Sequence, residues 1–91
     1  MLVKVRSFAS FRNILGKEKE VELAEGARVV DLLNELCSLK ANLGLQLFDE
    51  AGLRDDVNIF VSGKNIASLE SVRTVLSEGD VVALFPAAIG G

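Results

Sequence analysis

The run Val81–Phe85 (VVALF) is apolar on both of the faces that a β-strand presents, and the only proline of the chain, Pro86, follows it directly. A strand with two apolar faces belongs at the centre of a sheet, with the core on one side and a further contact on the other. Proline cannot donate to a hydrogen-bond ladder, so the sheet ends there. The sequence therefore predicts a central strand close to the end of the chain.

Three other segments have strand patterns. Residues 2–8 alternate apolar and basic side chains, and residues 17–23 alternate charged and apolar ones, as in an exposed edge strand. Glu18, Glu20 and Glu22 form a solvated face of that strand. Residues 57–62 predict a third strand, and a tight turn at residues 63–65 leads to a short one near Ile66.

One segment has a clear helical period. Residues 29–40 place apolar side chains at helical spacing and polar ones on the opposite face. The apolar positions are Val29, Leu32, Leu33, Leu36 and Leu39. Residues 9–15 predict one or two helical turns that end at Gly16, residues 71–76 a short helix or turn, and residues 45–56 irregular chain with a helical turn near residues 47–48.

This order of elements predicts one compact α+β domain over residues 1–91, with a flexible C-terminal tail at residues 86–91. The strands form a mixed sheet with one main helix packed across it. If the first and last strands are central neighbours, they run parallel. That arrangement is the β-grasp fold.

The composition excludes several classes of function. The chain has 91 residues, a net charge of -3, one cysteine and no histidine. These counts exclude an internal disulfide, a zinc site and histidine-based catalysis, and they weigh against nucleic acid. No segment has the apolar length of a membrane span, and the first residues lack the hydrophobic block of a signal peptide, so we expect a cytoplasmic protein. We expect no metal site, no bound cofactor and no enzymatic activity of the chain by itself.

Several motifs between Phe8 and the end of the chain match those of a known family. The matching residues are Phe8-Ala9-x-x-Arg12 with Gly16, Val57-Asn58, and Gly79-Asp80-x-Val82-Ala83-Leu84-Phe85-Pro86 leading to Gly90-Gly91. Along its full length the sequence resembles the MoaD/ThiS sulfur carriers and the related archaeal small modifiers, which have the ubiquitin-like β-grasp fold. The family often has a second proline where this chain has Ala87, and the Phe-Pro pair favours the MoaD or archaeal modifier branch.

The resemblance implies chemistry at Gly91. An E1-like partner would use ATP to convert its carboxylate into an acyl-adenylate, and Gly90 would keep the tail slim enough to enter a narrow channel. Sulfide transfer would then give a thiocarboxylate at Gly91. In that case the chain would be the small subunit of molybdopterin synthase, and a MoaE-like large subunit would be a second partner. The alternative is a ubiquitin-like modifier joined to lysines of target proteins. Transfer RNA thiolation would use the same activated tail. The third alternative is a plain interaction module, in which Gly90 and Gly91 are a frayed end without chemistry.

The outward face of the sheet predicts a docking surface. Strand alternation puts Phe8, Ile59, Val61 and Phe85 on the side away from the helix, and Phe60, Val82 and Leu84 in the core. A register shift of one residue would exchange the two faces. We assign partner binding to Phe8, Ile59, Val61, Phe85, Pro86 and Ile89. Cys37, on the flank of the helix's apolar stripe, is interpreted as a small, partly buried hydrophobe.

Overall fold

The computed structural model describes residues 1–86, and the helices and strands follow the predicted order. Their bounds are β1 Leu2–Ser7, α1 Ser10–Leu15, β2 Glu18–Glu22, α2 Val29–Leu39, α3 Leu43–Leu47, β3 Phe48–Asp49, β4 Gly52–Leu53, β5 Asn58–Val61, β6 Lys64–Asn65 and β7 Val81–Phe85. Two single turns of 3-10 helix, Ile66–Ser68 and Ser71–Arg73, join β6 to the loop before β7. No helix within residues 1–86 is long and apolar enough to cross a bilayer.

The sheet has five strands in the order β2-β1-β7-β5-β6. The strands β1 and β7 are parallel neighbours, whereas β2 and β5 flank them in antiparallel orientation. The central position of β7 and its parallel pairing with β1 confirm the β-grasp prediction. The charged strand β2 lies at one edge, as its alternating pattern indicated.

The core lies between the sheet and α2. The helix contributes four side chains that are fully buried, namely Val29, Leu32, Leu33 and Leu36. From the sheet, Val3, Val5, Val82 and Leu84 point toward them. The prediction that Leu39 joins this stripe is wrong, because this residue ends α2 and its side chain is 51% exposed.

The predicted orientation of β5 is also wrong. Ile59 and Val61 are buried at 1% and 7% exposure, whereas Phe60 faces outward and is only half-buried. The cause is the register with β7, where Ile59 is opposite Leu84 and Phe60 is opposite Ala83. Residues paired across a ladder share a face, so Ile59 follows the buried Leu84 into the core.

The segment predicted as irregular is more ordered than expected. The helix α3 and the small hairpin of β3 and β4 occupy residues 43–53. Leu43 and Leu47, one turn apart on α3, are both fully buried. The segment therefore closes one end of the core, and α3 places its next side chain, Leu45, on the surface.

Candidate functional site

Three phenylalanines form a cluster on the outward side of the sheet, which we call the aromatic face (Phe8, Phe60 and Phe85). The rings of Phe8 and Phe85 are stacked, with centroids 4.3 Å apart and planes inclined by 8°. The ring of Phe60 meets Phe85 edge to face at 5.6 Å and 81°. All three rings are half-buried, so they hold one another in place while keeping surface for a partner.

Two arginines lie beside the Phe8 ring of the aromatic face. The guanidinium carbon of Arg12 lies 5.3 Å from the centroid of the Phe8 ring, and that of Arg6 lies 5.9 Å from it. Both are cation–π distances, worth about 0.5–1 kcal/mol each at an exposed site. The Nε of Arg12 also donates to the carbonyl oxygen of Ser7 at 3.0 Å. The acidic chain therefore carries an ordered basic rim beside its exposed aromatic rings.

A tight turn after β1 produces this arrangement. The N–H of Phe11 donates to the carbonyl of Phe8 at 3.1 Å, and the N–H of Arg12 donates to the carbonyl of Ala9 at 3.0 Å. Ala9 has a backbone φ of 52°, a value that residues other than glycine rarely adopt. The turn sends the chain back into α1 and brings Arg12 above the ring of Phe8.

A shallow groove crosses the aromatic face, with a volume of about 330 Å³. Its floor includes Val81 and Ala83, the two outward residues of β7 that are smaller than phenylalanine. Arg6, Phe8, Phe60, Gly63 and Phe85 complete the lining. Small side chains between large rings leave a concave apolar strip, the shape that an apolar side chain of another protein can fill.

A second groove, which we call the exit groove, begins at Pro86. It also has a volume of about 330 Å³ and is lined by Phe11, Leu45, Gln46, Arg54, Asp56, Val57 and Pro86. Arg54 donates from Nε and Nη2 to the two carboxylate oxygens of Asp56, each at 3.1 Å. These hydrogen bonds hold the pKa of Asp56 below its usual value. The last residue of β7, Phe85, lines the first groove, and the next residue, Pro86, lines the exit groove.

The structure brings together some of the residues predicted to bind a partner. Phe8 and Phe85 lie in the aromatic face, and Pro86 lies in the exit groove. Ile59 and Val61 belong to the core instead. The remaining predicted positions, Ile89, Gly90 and Gly91, lie outside the described residues.

Sequence reasoning missed Phe60 because its large apolar ring favoured the core. The register of β5 with β7, in which Phe60 is opposite Ala83, decides its side, and the local sequence pattern does not contain that register. Leu45 and Arg54 were missed because nothing in the sequence brings α3 near Pro86. Cys37 is half-buried against the core, and burial raises the pKa of its thiol, in keeping with its interpretation as a small hydrophobe.

Side chains that could hold a metal ion do not cluster within residues 1–86. The described surface offers two grooves that adjoin the end of β7, one lined by Phe85 and the other by Pro86. The five-stranded sheet with α2 across it and this exposed face define a small ubiquitin-like β-grasp domain.

Comparisons with known proteins identify the family. The sequence profile of the ThiS family matches residues 5–91, so the chain belongs to this family. Its members are small ubiquitin-like carriers rather than enzymes. The chain is 29% identical over 92 residues to small archaeal modifier protein 3 of Haloferax volcanii, and the match covers 100% of both proteins.

Two solved structures add to this comparison. One, from Pyrococcus furiosus, is assigned as molybdopterin converting factor, subunit 1; it is 40% identical, with a TM-score of 0.79, over 97% of this chain and 99% of that one. The other is the BexX/CysO complex of Amycolatopsis orientalis, 28% identical with a TM-score of 0.79, over 98% and 99% of the two chains. Proteins similar to this chain thus include a small archaeal modifier protein, a protein assigned as subunit 1 of a molybdopterin converting factor, and a chain of the BexX/CysO complex.

Proposed function

We propose that this chain is a sulfur carrier activated at Gly91, and that it serves as the small subunit of a molybdopterin synthase. The observation that carries the proposal is the aromatic face, whose Phe85 is the last residue of β7 and directly precedes the tail at residues 86–91. The family profile extends through Gly91, and the 40% identical relative from Pyrococcus furiosus is assigned to molybdopterin conversion.

The chemistry begins at a carboxylate, which is a poor electrophile. An oxygen of the Gly91 carboxylate attacks the α-phosphorus of ATP, and the bond to pyrophosphate breaks. The product is an acyl-adenylate, whose carbonyl is open to nucleophiles because AMP is a good leaving group. An E1-like enzyme binds and uses the ATP, so this chain needs no cofactor of its own.

Sulfur then replaces AMP. A sulfide equivalent attacks the Gly91 carbonyl carbon, the bond to the AMP oxygen breaks, and a thiocarboxylate remains. In the synthase, this sulfur attacks an electrophilic carbon of a pterin precursor bound by a MoaE-like large subunit, and as the carbon–sulfur bond forms, the bond from that carbon to an oxygen substituent breaks and the oxygen group leaves. Water hydrolyses the resulting acyl linkage, which leaves sulfur on the precursor and restores the carboxylate of Gly91.

The aromatic face supplies the docking surface in this scheme. Exposed aromatic residues and arginine are enriched where proteins bind one another, and they contribute most of the binding energy. The stacked Phe8 and Phe85 rings and the nearby Arg12 are already ordered, so binding would cost them little side-chain entropy. A partner with an apolar centre and acidic groups near Arg6 and Arg12 would complement this face.

The second candidate function is that of a protein modifier. The full-length match to small archaeal modifier protein 3 favours it. In this scheme the amine of a target lysine attacks the Gly91 adenylate, AMP leaves, and an isopeptide bond forms. The two functions share the activation step and differ only in the nucleophile.

Removing Gly90 and Gly91 tests the shared step. We expect the truncated chain to keep the unfolding midpoint of the wild type and to lose ATP–pyrophosphate exchange with the E1-like enzyme of the same organism. Equal exchange rates for the two proteins would contradict the proposal.

Intact-mass analysis of the protein purified from its native host separates the two fates. A mass increase equal to replacement of one oxygen by sulfur indicates the carrier. Gly-Gly remnants on lysines of other proteins indicate the modifier.

A further inference from the structure

The exit groove carries an unusually exposed leucine. Leu45 is 80% exposed, whereas the other exposed large apolar side chains within residues 1–86 range from 39% to 51%. A single exposed leucine needs no explanation by itself. Leu45, however, lines the same groove as Pro86, the last residue that the structure describes.

The length of the tail limits where a partner can lie. Five residues follow Pro86, and five extended residues span at most about 17 Å. An enzyme that holds the Gly91 carboxyl group in an enclosed site must therefore approach within that distance of Pro86. A standard interface covers about 800 Å² of each protein, which is a disc about 16 Å in radius. A footprint of this size around the tail extends onto both grooves.

We propose that the exit groove is a second docking site for the activating enzyme, used together with the aromatic face. This inference rests on the proposed function. The enzyme places an apolar side chain over Leu45 in the exit groove and contacts Phe85 on the aromatic face. A contact in each groove restricts how the chain after Pro86 can approach the enzyme, so that Gly91 reaches the ATP.

The charged side chains of the groove are suited to a defined contact. Asp56 holds Arg54 through two parallel hydrogen bonds, an arrangement that fixes the plane of the guanidinium. The pair neutralises its own charge, so the groove attracts neither acidic nor basic proteins strongly. Binding there consequently depends on the apolar contact with Leu45, which makes this residue the one to test.

The test compares Leu45→Gln with Leu39→Gln. Both replace an exposed leucine of a helix with a polar residue of similar length, but Leu39 lies outside the residues that line the exit groove. The assay is ATP–pyrophosphate exchange with the E1-like enzyme of the same organism, over a range of carrier concentrations. We expect Leu45→Gln to raise the KM for the carrier about tenfold with little change in kcat, because a uniform binding contact is lost. Leu39→Gln should match the wild type, and urea midpoints should be equal in all three proteins.

Each outcome decides the inference. Equal KM values for Leu45→Gln and the wild type would overturn it, and so would an equal rise for both variants, since that indicates a general effect of surface polarity. The chain lacking Gly90 and Gly91 is measured in the same assay. If the truncated chain still supports exchange, the proposed function fails. If the truncated chain loses exchange but Leu45→Gln has the KM of the wild type, the second docking site alone fails.

Discussion

The hydroxyl group of Ser7, beneath the aromatic face, is buried and has no hydrogen-bond partner within residues 1–86. The residue is 1% exposed. Its backbone, by contrast, is well used, because its N–H donates to Lys17 and its carbonyl accepts from Arg12. Burying a hydroxyl without a partner costs free energy, so the side chain of Ser7 does not help the strand that presents Phe8.

We therefore expect Ser7→Ala to stabilise the protein by about 1 kcal/mol, because no partner loses a hydrogen bond when the hydroxyl is removed. The midpoint of urea unfolding measures this, provided that the slope of the transition is unchanged. Ser38→Ala is the control, since that hydroxyl is exposed and donates to the Glu35 carbonyl at 2.7 Å. A lower midpoint for Ser7→Ala than for the wild type would show that the hydroxyl is paired.

At the scale of elements, two adjacent residues of β5 have different surroundings, one in the core and the other on the exposed aromatic face. Ile59 points into the core and Phe60 belongs to the aromatic face. Their backbones share one strand, and both residues pair with β7. Substitutions at these two positions can therefore distinguish a contribution to folding from a contribution to binding.

We expect Ile59→Ala to lower the free energy of unfolding by about 2–5 kcal/mol, as other buried isoleucines do. Phe60→Ala should cost less than that, because its ring is half exposed, and should raise the KM for the activating enzyme at least about tenfold. Chemical denaturation and exchange kinetics on both variants provide the comparison. The assignment of the two faces would be contradicted if Phe60→Ala proved the more destabilising substitution.

The same strand shows where sequence patterns stop being informative. In β1, the basic residues Lys4 and Arg6 mark the solvent side, so the alternation alone identifies the buried face. The run Asn58–Val61 has three consecutive apolar residues and no charge, and either phase of its alternation fits a core. Only the long-range pairing with β7 decides it, and that register depends on chain connections that a local pattern does not contain.

Other parts of the fold show the same division. The period of α2 and the doubly apolar β7 predicted the architecture, because burial on one or both faces leaves a direct trace in composition. The helix α3 is too short for a clear period, and its position near Pro86 comes from tertiary packing. The exit groove was therefore beyond prediction from sequence, whereas the aromatic residues Phe8 and Phe85 were within it.

At the scale of the whole molecule, the proposed function gives the body and the tail separate tasks. The strand β7 ends at Phe85, and the next residue, Pro86, has no N–H to donate to a hydrogen-bond ladder. Pro86 lines one groove and Phe85 the other, so in the proposed function an enzyme bound at both grooves lies next to the start of the tail. Stability should then depend on residues 1–86, and activation on the tail together with the surfaces beside it.

This separation predicts the behaviour of Gly90→Val. A side chain at the penultimate position excludes backbone angles that glycine allows and widens a segment that must enter a channel. We expect adenylate formation to slow at least about tenfold, which corresponds to about 1.4 kcal/mol in the barrier, with an unchanged melting temperature. Ala87→Pro is the matched control, because it also restricts the tail but lies next to Pro86, away from the reacting carboxyl group; it should react nearly as the wild type does. If Gly90→Val reacted at the normal rate, the narrow channel would be ruled out as the reason for the paired glycines, and recognition of the tail would rest on the terminal carboxylate of Gly91 alone.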